Sequence, residues 1–479
     1  MDILNKLFAS WSGSAPESVT RLTPAGSNRE YWRLTANGRS AIGVIGTSAD
    51  ENIAFFTICR QLHSQGLPVP ELYGTDDDGM HYLQEDLGDS SLFDVLEPCR
   101  KTGIYDSASV GMLRKVMRIL PDIQFRGADG MDFTVCYPTP EFDSRSIMWD
   151  LNYFKYYFLK PSGIEFHEAR LEEDFNRLAG ILLQDAPYST FMYRDFQSRN
   201  VMVRDGNPWF IDFQGGRRGP AEYDLVSFLW QARAAYPPEL REELIAGYTD
   251  SLRRYRETDP DAFRRRLNHF VLFRTMQVLG AYGYRGHFER KPHFLASIPP
   301  AMDNLRELLH NGTEFGAYPY LTSLLFKLTE LPQYSKPAAG PEKGILTVSI
   351  SSFSYRKGIP ADTSGNGGGF VFDCRSMHNP GLYEEYKQLD GRDQPVIDFL
   401  EQQGEIQKFL DNVCGLVDPA VSKYISRGFT HLAVNFGCTG GHHRSVRSAE
   451  CLAAHLKEKY GNGIRVLLTH HELKSSREL

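Results

Sequence analysis

Asp195, Asn200 and Asp212 are the residues whose types and spacing most directly suggest chemistry. They lie in Phe191 to Asp212, FMYRDFQSRNVMVRDGNPWFID. Asp195 stands in a polar loop behind a short apolar run, and Asn200 follows it by five positions. Val201 to Val203 is apolar, Asp205-Gly206-Asn207 is a turn signal, and Trp209 to Ile211 is apolar again. The pattern predicts loop, strand, turn and strand, with Asp212 at the exit of the second strand. Phosphoryl transfer needs this layout. The first carboxylate orients an acceptor hydroxyl and takes its proton, while the amide and the second carboxylate hold Mg²⁺ on the nucleotide phosphates. The alternative is an ordinary hairpin with polar ends.

The same stretch resembles the catalytic loop and metal-binding Asp of the aminoglycoside phosphotransferase-like kinases. That resemblance implies an α+β bilobal kinase-like domain, with a small β lobe and a large helical lobe. It implies ATP and Mg²⁺ as cofactors, Asp195 as catalytic base, and Asn200 and Asp212 as metal ligands. Tyr193 stands where most of the family has His, and a Tyr hydroxyl can hold the loop by a hydrogen bond as the His does. Asp224 matches a family Asp at the start of the following helix, read as an N-cap or loop brace.

The elements upstream must cover a nucleotide. Leu22 and Tyr31 to Leu34 bracket the turn-rich Ala25-Gly26-Ser27-Asn28, and Asn37-Gly38 marks the next turn. Two strands joined by such a loop can meet phosphates with backbone N–H groups. GSNREYWRL resembles the nucleotide-covering hairpin of the bacterial kinases of N-acetylmuramate and N-acetylglucosamine, which carries arginines like Arg29 and Arg33. Gly26, Ser27, Arg29 and Arg33 are therefore the expected phosphate contacts. The third strand, Ala41-Ile42-Gly43-Val44-Ile45, lacks the Lys that many kinases place there. Either arginine can supply that charge bidentately, or both are solvated strand residues. Glu51 opens an amphipathic helix over 51–65, closed by Gly66 with Pro68 and Pro70 beyond. Glu51 is either the helix partner of a phosphate-binding cation or a first-turn charge favoured by the helix dipole. Met80 to Gln84 reads as a strand. The EDLGD that follows resembles the inter-lobe hinge, which assigns Glu85 and Leu87 to the adenine, chiefly through their backbone groups.

Residues 90–190 and 222–330 read as mostly helical. Ser144 to Lys160 is rich in aromatic residues, and an aromatic stripe at helical spacing is more often core than sugar platform. In the related sugar kinases the corresponding helix lies near the acceptor and bears an acidic residue, matched here by Asp150. Leu171 to Leu183 is expected to pack beneath the catalytic loop. The sugar-kinase similarity continues through Met276 to Gly286 and Leu295 to Leu308.

Residues 1–84 are thus the expected small lobe and 85–330 the helical lobe. Residues 331–344, LPQYSKPAAGPEKG, have the composition of a semi-rigid linker. From 345 to 479 strands alternate with helices, predicting an α/β domain. Strands are expected at 346–350, 370–374, 431–436 and 465–469, and helices at 395–410 and 446–460. His431 to Phe436 runs into Gly437-Cys438-Thr439-Gly440-Gly441-His442-His443-Arg444-Ser445. Strand, Gly-rich loop, helix is an anion site, because free backbone N–H groups face one point. A turn without a ligand is the plainer reading.

GCTGGHHRS resembles the corresponding loop of the C-terminal domain of the RNase adapter RapZ family. FSYRKGIP, VFDCR with Asn379-Pro380, and Gly391-x-Asp393-x-Pro395 extend that resemblance. It implies sugar-phosphate binding by Cys438, Thr439, Gly440, Gly441, His443, Arg444 and Ser445. His442 replaces the family's Lys. The adapter's Walker A loop has no counterpart, so RNA binding is not carried across. Cys438-x5-Arg444-Ser445 also has the spacing of a cysteine phosphatase loop, but Gly437 stands where such loops have His.

The chain has 479 residues, which predicts two or three domains. Its net charge of −7 argues against a nucleic-acid coat, though local basic patches stay open. Seven scattered cysteines without a CxxC pair argue against a disulfide framework or zinc site and fit a reducing cytoplasm. The N-terminal segment is too short and polar for a signal peptide, and no apolar run suits a membrane span. The leading expectation is a cytoplasmic kinase of an amino sugar, with a second domain that binds a sugar phosphate as effector or ligand. The competitors are a non-catalytic sensor or adapter with a degenerate kinase half, and a kinase joined to a phosphatase.

Overall fold

The computed structural model describes residues 1–22, 29–334, 345–360, 369–402 and 404–479. They fall into two compact units, Met1–Ser335 and Lys336–Leu479.

The first unit opens with α1 (Asp2–Ser12), followed by β1 (Ser18–Leu22), β2 (Glu30–Ala36), β3 (Arg39–Ile45), α2 (Ala49–Ser64), β4 (Leu72–Thr75) and β5 (His81–Glu85). The strands form one antiparallel sheet in the order β1-β2-β3-β5-β4. Asn37 and Gly38 both have positive φ, so β2 and β3 are joined by the turn whose twist matches an antiparallel pair. Leu4 and Phe8 of α1 bury against Leu34, Ala41 and Leu83 on one face of the sheet. On α2, the Ser48 side chain accepts the Glu51 N–H at the N-terminus, and the Phe55, Ile58 and Leu62 face is buried.

The helical lobe contains α3 (Leu92–Val95), α4 (Glu97–Thr102), α5 (Ser107–Phe125), α6 (Ser144–Phe154) and α7 (Glu168–Leu182). Four short strands follow: β6 (Phe191–Met192), β7 (Val201–Arg204), β8 (Asn207–Phe210) and β9 (Arg217–Arg218). Then come α8 (Ala221–Leu229), α9 (Pro238–Leu252), α10 (Pro260–Gly283), α11 (Pro292–Leu295), α12 (Ile298–Asn311) and α13 (Pro319–Thr329). This is a kinase-like fold, a small sheet followed by a helical lobe. The long α10 lies against α6, α8 and α12. The expected helix over 144–160 is helical throughout but changes its winding: after α6 the chain makes a π turn over Lys155–Leu159, and α10 does the same over Tyr284–Phe288. Close approach accounts for the fit of the two helices. A Cβ on Gly283 would stand 2.1 Å from the Tyr157 carbonyl oxygen. α7 packs on α6 and α13, whereas β6, which leads into the candidate catalytic loop, rests on α5 and α8.

The second unit runs β10 (Leu346–Ser354), β11 (Gly369–Asp373), α14 (Gln394–Gln402), α15 (Glu405–Ser426), β12 (His431–Cys438), α16 (Arg444–Tyr460), β13 (Ile464–His470) and β14 (Ser475–Glu478). Its sheet order is β11-β12-β10-β13-β14, parallel except for the β13–β14 pair. The single helix expected at 395–410 is two, because Gly404 adopts a left-handed conformation between α14 and α15. Val348, Ile350, Val434, Phe436, Leu452 and Leu456 centre the core. Among the described residues of the chain, no helix is long and apolar enough to cross a membrane.

Candidate active site

Asp195, Asn200 and Asp212 converge because a short hairpin folds the chain back on itself. β7 and β8 pair in register from Val201–Phe210 to Arg204–Asn207, across a turn whose Asp205 and Gly206 both have positive φ. The Ile211 N–H donates to the Asn200 carbonyl at 3.0 Å, which sets Asp212 beside the loop. The Asn200 Nδ2 then donates to the Asp195 carbonyl at 2.8 Å and to Asp212 Oδ2 at 3.1 Å. One amide therefore ties the candidate base's backbone to the candidate metal carboxylate. Beneath it, Phe196 stacks on Phe210 with centroids 5.6 Å apart.

Besides Asp205 in the turn, two non-glycine residues here hold left-handed backbone, Arg194 at φ 76° and Asp212 at φ 68°. Such conformations persist only when the surroundings enforce them. The enforcement on Arg194 is visible. The buried Asp224 carboxylate accepts the N–H of Tyr193 at 2.9 Å and of Arg194 at 2.8 Å. Asp224 is thus a loop brace inside α8, not its N-cap, which is Pro220. The Tyr193 hydroxyl donates to the Ile211 carbonyl and so links the start of the loop to the approach to Asp212.

Burial raises the Asp212 carboxyl above its ordinary value, and the neighbouring Asp195 charge adds to this, against the Gln214 hydrogen bond at 2.8 Å and Arg29. The asparagine amide and aspartate supply hard oxygen donors suited to Mg²⁺, which typically takes few protein ligands and leaves the rest to phosphates and water. Among the described residues no group of three or more His, Cys, Asp or Glu could hold a metal alone. The donor set fits a metal brought in with a nucleotide.

Arg29 is buried, and its guanidinium lies 3.0 Å from the Glu51 carboxylate on α2. Glu51 thus has a cationic partner although β3 carries no Lys. Arg33 is committed differently. It forms a two-toothed pair with Asp86 at 2.7 and 3.0 Å and also reaches Asp89 at 2.8 Å. A phosphate role for Arg33 requires breaking these contacts. Gly26 and Ser27 lie outside the described residues. At the hinge, Glu85 pairs with Arg204 of β7 at 2.5 Å, and Leu87 is buried. The Val203 N–H donates to the Ser90 carbonyl at 2.8 Å, so the hinge segment is laid along the same hairpin that carries the site.

Asp150 lies on α6 and accepts a hydrogen bond from Gln277 of α10 at 2.5 Å, with the Arg194 guanidinium 3.9 Å away. Burial raises its carboxyl, while Arg194, Arg274 and Arg217 oppose the rise. Arg217 is pushed down to about 10 by burial and by Arg194. The arginines and Gln277 around Asp150 were not singled out in the sequence. Arg194 adjoins Asp195, and that adjacency was the available signal. Tyr153, Tyr157, Tyr284 and Phe288 form an aromatic cluster spanning the two π turns.

In the second unit, β12 delivers Cys438, Thr439, Gly440 and Gly441 to the start of α16. The Gly441 N–H donates to the Cys438 sulfur at 3.2 Å, and Cys438 shares a hydrogen bond with the Ser445 hydroxyl at 3.1 Å. The Thr439 carbonyl accepts from the Ser354 hydroxyl at 2.8 Å. Two more of the predicted side chains are committed internally. Arg444 is buried and donates to the carbonyls of Arg375 at 3.0 Å and Met377 at 2.8 Å. His443 Nε2 lies 2.9 Å from the Tyr386 carbonyl, as a donor. What the loop offers an anion is therefore chiefly backbone N–H groups at the opening of α16, where the first turn lacks intrahelical partners.

The phosphotransferase enzyme family profile matches residues 18–258, and that of the RapZ C-terminal domain matches residues 346–474. Similar curated proteins include a nucleotide-binding protein of Dechloromonas aromatica (strain RCB), 39% identical over 135 residues, covering 28% of this chain and 44% of that protein. Another, from Ruegeria sp. (strain TM1040), is 41% identical over 128 residues, covering 27% and 40%. The chain therefore spans less than half the length of either. Among solved structures, choline kinase LicA from Streptococcus pneumoniae superposes with a TM-score of 0.42 and 12% identity, over 64% of this chain and 98% of that one. A choline kinase from Cryptosporidium parvum Iowa II gives 0.46 and 13%, over 68% and 98%.

Proposed function

The chain belongs to the phosphotransferase enzyme family, and on that premise we propose that residues 1–330 transfer the γ-phosphoryl group of ATP to a hydroxyl group of an amino sugar. The observation that carries this reading is the Asn200 amide bonded to both the Asp195 backbone and the Asp212 carboxylate. In it, Asp195 orients the acceptor hydroxyl and takes its proton as the new oxygen–phosphorus bond forms and the bond to ADP breaks. Asn200 and Asp212 would hold Mg²⁺, which would supply charge neutralisation to the nucleotide phosphates. The Arg29–Glu51 pair supports Arg29 as the cation for the phosphates, fixed by an acidic partner. Backbone groups of Glu85 to Leu87 meet the adenine. Asp150 and the aromatic residues around Tyr153 and Tyr284 receive the acceptor, whose rings of C–H bonds suit aromatic faces. The amino-sugar assignment rests on the resemblance of GSNREYWRL to the kinases of N-acetylmuramate and N-acetylglucosamine. Seven free cysteines suit a reducing cytoplasm.

For the second unit, the proposed ligand is a sugar phosphate held at residues 438–445, largely by the backbone N–H groups, with His443 and Arg444 shaping the loop from behind. Its binding is proposed to modulate the kinase. The direct test is phosphoryl transfer from Mg·ATP across N-acetylglucosamine, N-acetylmuramate, glucosamine and neutral hexoses, beside Asp195→Asn. Turnover with one amino sugar, lost in the variant, is the expected result. Nucleotide binding without turnover on any acceptor would replace the kinase with a sensor.

A further inference from the structure

The catalytic loop carries a charge that the phosphotransfer chemistry does not use. Arg199, between Asp195 and Asn200, lies with its guanidinium 4.6 Å from the centre of the Phe93 ring on α3. Arg100 of α4 lies 3.5 Å from the same ring. An open depression of about 290 Å³ is lined by Phe93, Asp94, Glu97, Arg100, Lys101 and Arg233. The acidic members are engaged locally: Asp94 accepts from the Ser91 hydroxyl at 2.6 Å, and Glu97 pairs with Lys101 at 2.8 Å. Arg199 and Arg233 are both exposed, and among the described residues neither forms an ion pair or side-chain hydrogen bond.

The cationic surface continues along α10 and beyond it. The charges of Arg274, Arg199 and Arg233 all act on Tyr282, and those of Arg233, Arg199, Lys291 and Arg285 on His293. Lys291 is offset by Glu289 at 2.7 Å. Arg274 also donates to Gln277 at 2.8 Å, the residue that holds Asp150. Asp150 and the arginines about Tyr282 are thus linked through α10. Gathering guanidiniums without carboxylate partners costs repulsion that a bound anion relieves, and it repels a cationic acceptor.

We propose that the acceptor carries an anionic substituent, a carboxylate or a phosphate, which Arg199 and Arg233 bind while its hydroxyl faces Asp195. This deepens the phosphotransfer reading of the same site and rests on it. The test uses the full chain with Mg·ATP and matched acceptors: N-acetylglucosamine, N-acetylmuramate with its carboxylate, and N-acetylglucosamine 6-phosphate. An anionic acceptor is expected to exceed the neutral one in kcat/KM by at least about tenfold, the scale of one charge-assisted hydrogen bond. The carboxylate and phosphate arms tell the two sources apart. Arg199→Gln and Arg233→Gln are expected to raise KM for the anionic acceptor by about tenfold and to shrink its advantage, with Arg233→Lys recovering part. Equal use of the neutral acceptor, or an effect confined to KM for ATP, overturns the proposal. If no acceptor turns over, the kinase reading fails separately. Calorimetric titration of the same two anionic sugars onto wild type and the Arg199→Gln/Arg233→Gln double variant then decides: weakened binding in the variant supports the anion subsite, and unchanged binding removes it.

Discussion

Arg29 and Glu51 form a 3.0 Å ion pair between the start of β2 and the first turn of α2, with the arginine buried. The pair couples the edge of β2 to α2, and the Arg29 charge reaches Asp212. Arg29→Gln is expected to raise KM for ATP by at least about tenfold, the loss of a charge-assisted contact. Glu51→Gln should do less, and the double variant should cost less than the sum of the two. Steady-state kinetics in a double-mutant cycle measures this. Strict additivity would mean that the two residues act independently and that Arg29 needs no partner.

The Tyr193 hydroxyl bonds to the Ile211 carbonyl, one residue before Asp212. Tyr193→Phe leaves that part-buried carbonyl without its partner. The expected loss of stability is about 1–2 kcal/mol, with kcat reduced more than KM for ATP because the loop geometry loosens. Thermal unfolding and kinetics on the same preparation check both halves. A variant with wild-type kcat would relieve Tyr193 of any part in positioning the loop.

Much of this arrangement was legible in the sequence. The hairpin over 201–210 follows from two short apolar runs on either side of Asp-Gly-Asn, and β12 running into α16 follows from an apolar strand ahead of a Gly-rich loop. Those signals are local. What was not legible depends on contacts distant in sequence. The partner of Glu51 could be named only once Arg29 was placed, and the commitment of Arg33 to Asp86 and Asp89 only once β2 met the hinge. Arg444 reads as an anion ligand from its neighbours, yet its guanidinium is taken by the carbonyls of Arg375 and Met377. The π turns after α6 and α10 lie where the two helices approach closely at Gly280 and Gly283, which no periodicity encodes.

Asp224 gives a pH prediction. Burial pushes its carboxyl up to about 7, against the hydrogen bonds from Tyr193, Arg194 and Gln124 that favour the ionised form. A folded-state value raised above the unfolded one means that the native state binds the proton more readily. The associated stability is fully present below the ordinary carboxylate range and is lost as pH rises through about 7. Asp224→Asn cannot titrate. The stability of wild type relative to this variant should therefore decline between about pH 4 and 7. Thermal denaturation of both proteins across that range measures the difference, and a constant gap would remove Asp224 as its source.

In the second unit, Gly391 lies where a Cβ would stand 2.3 Å from the His443 carbonyl oxygen and 2.6 Å from the Arg447 nitrogen. Backbone cannot yield as a side chain can. Gly391→Ala is expected to destabilise the unit by ~1–3 kcal/mol or more. Gly440→Ala, whose nearest neighbour would be the His442 ring at 3.8 Å, should be tolerated. Unfolding of the two variants side by side tests the contrast. Equal stability would show that the segment bearing Gly391 is not pressed against the start of α16.

Cys438 and Arg444 have phosphatase spacing, and their surroundings decide what that spacing does. The sulfur is buried, accepts the Gly441 N–H and is engaged by Ser445. A nucleophile must reach phosphorus, and the arginine must be available to grip the equatorial oxygens. Here the Arg444 Nη1 is spent on two backbone carbonyls, and Gly437 offers no ring to support a thiolate. Wild type and Cys438→Ser should therefore release phosphate from p-nitrophenyl phosphate equally, at the background rate. Cys438→Ala should instead lower stability by about 1 kcal/mol, the scale of the hydrogen bonds it removes. Phosphate release by wild type that disappears in Cys438→Ser would show that Arg444 leaves its carbonyls when an anion enters, and the loop would then be catalytic.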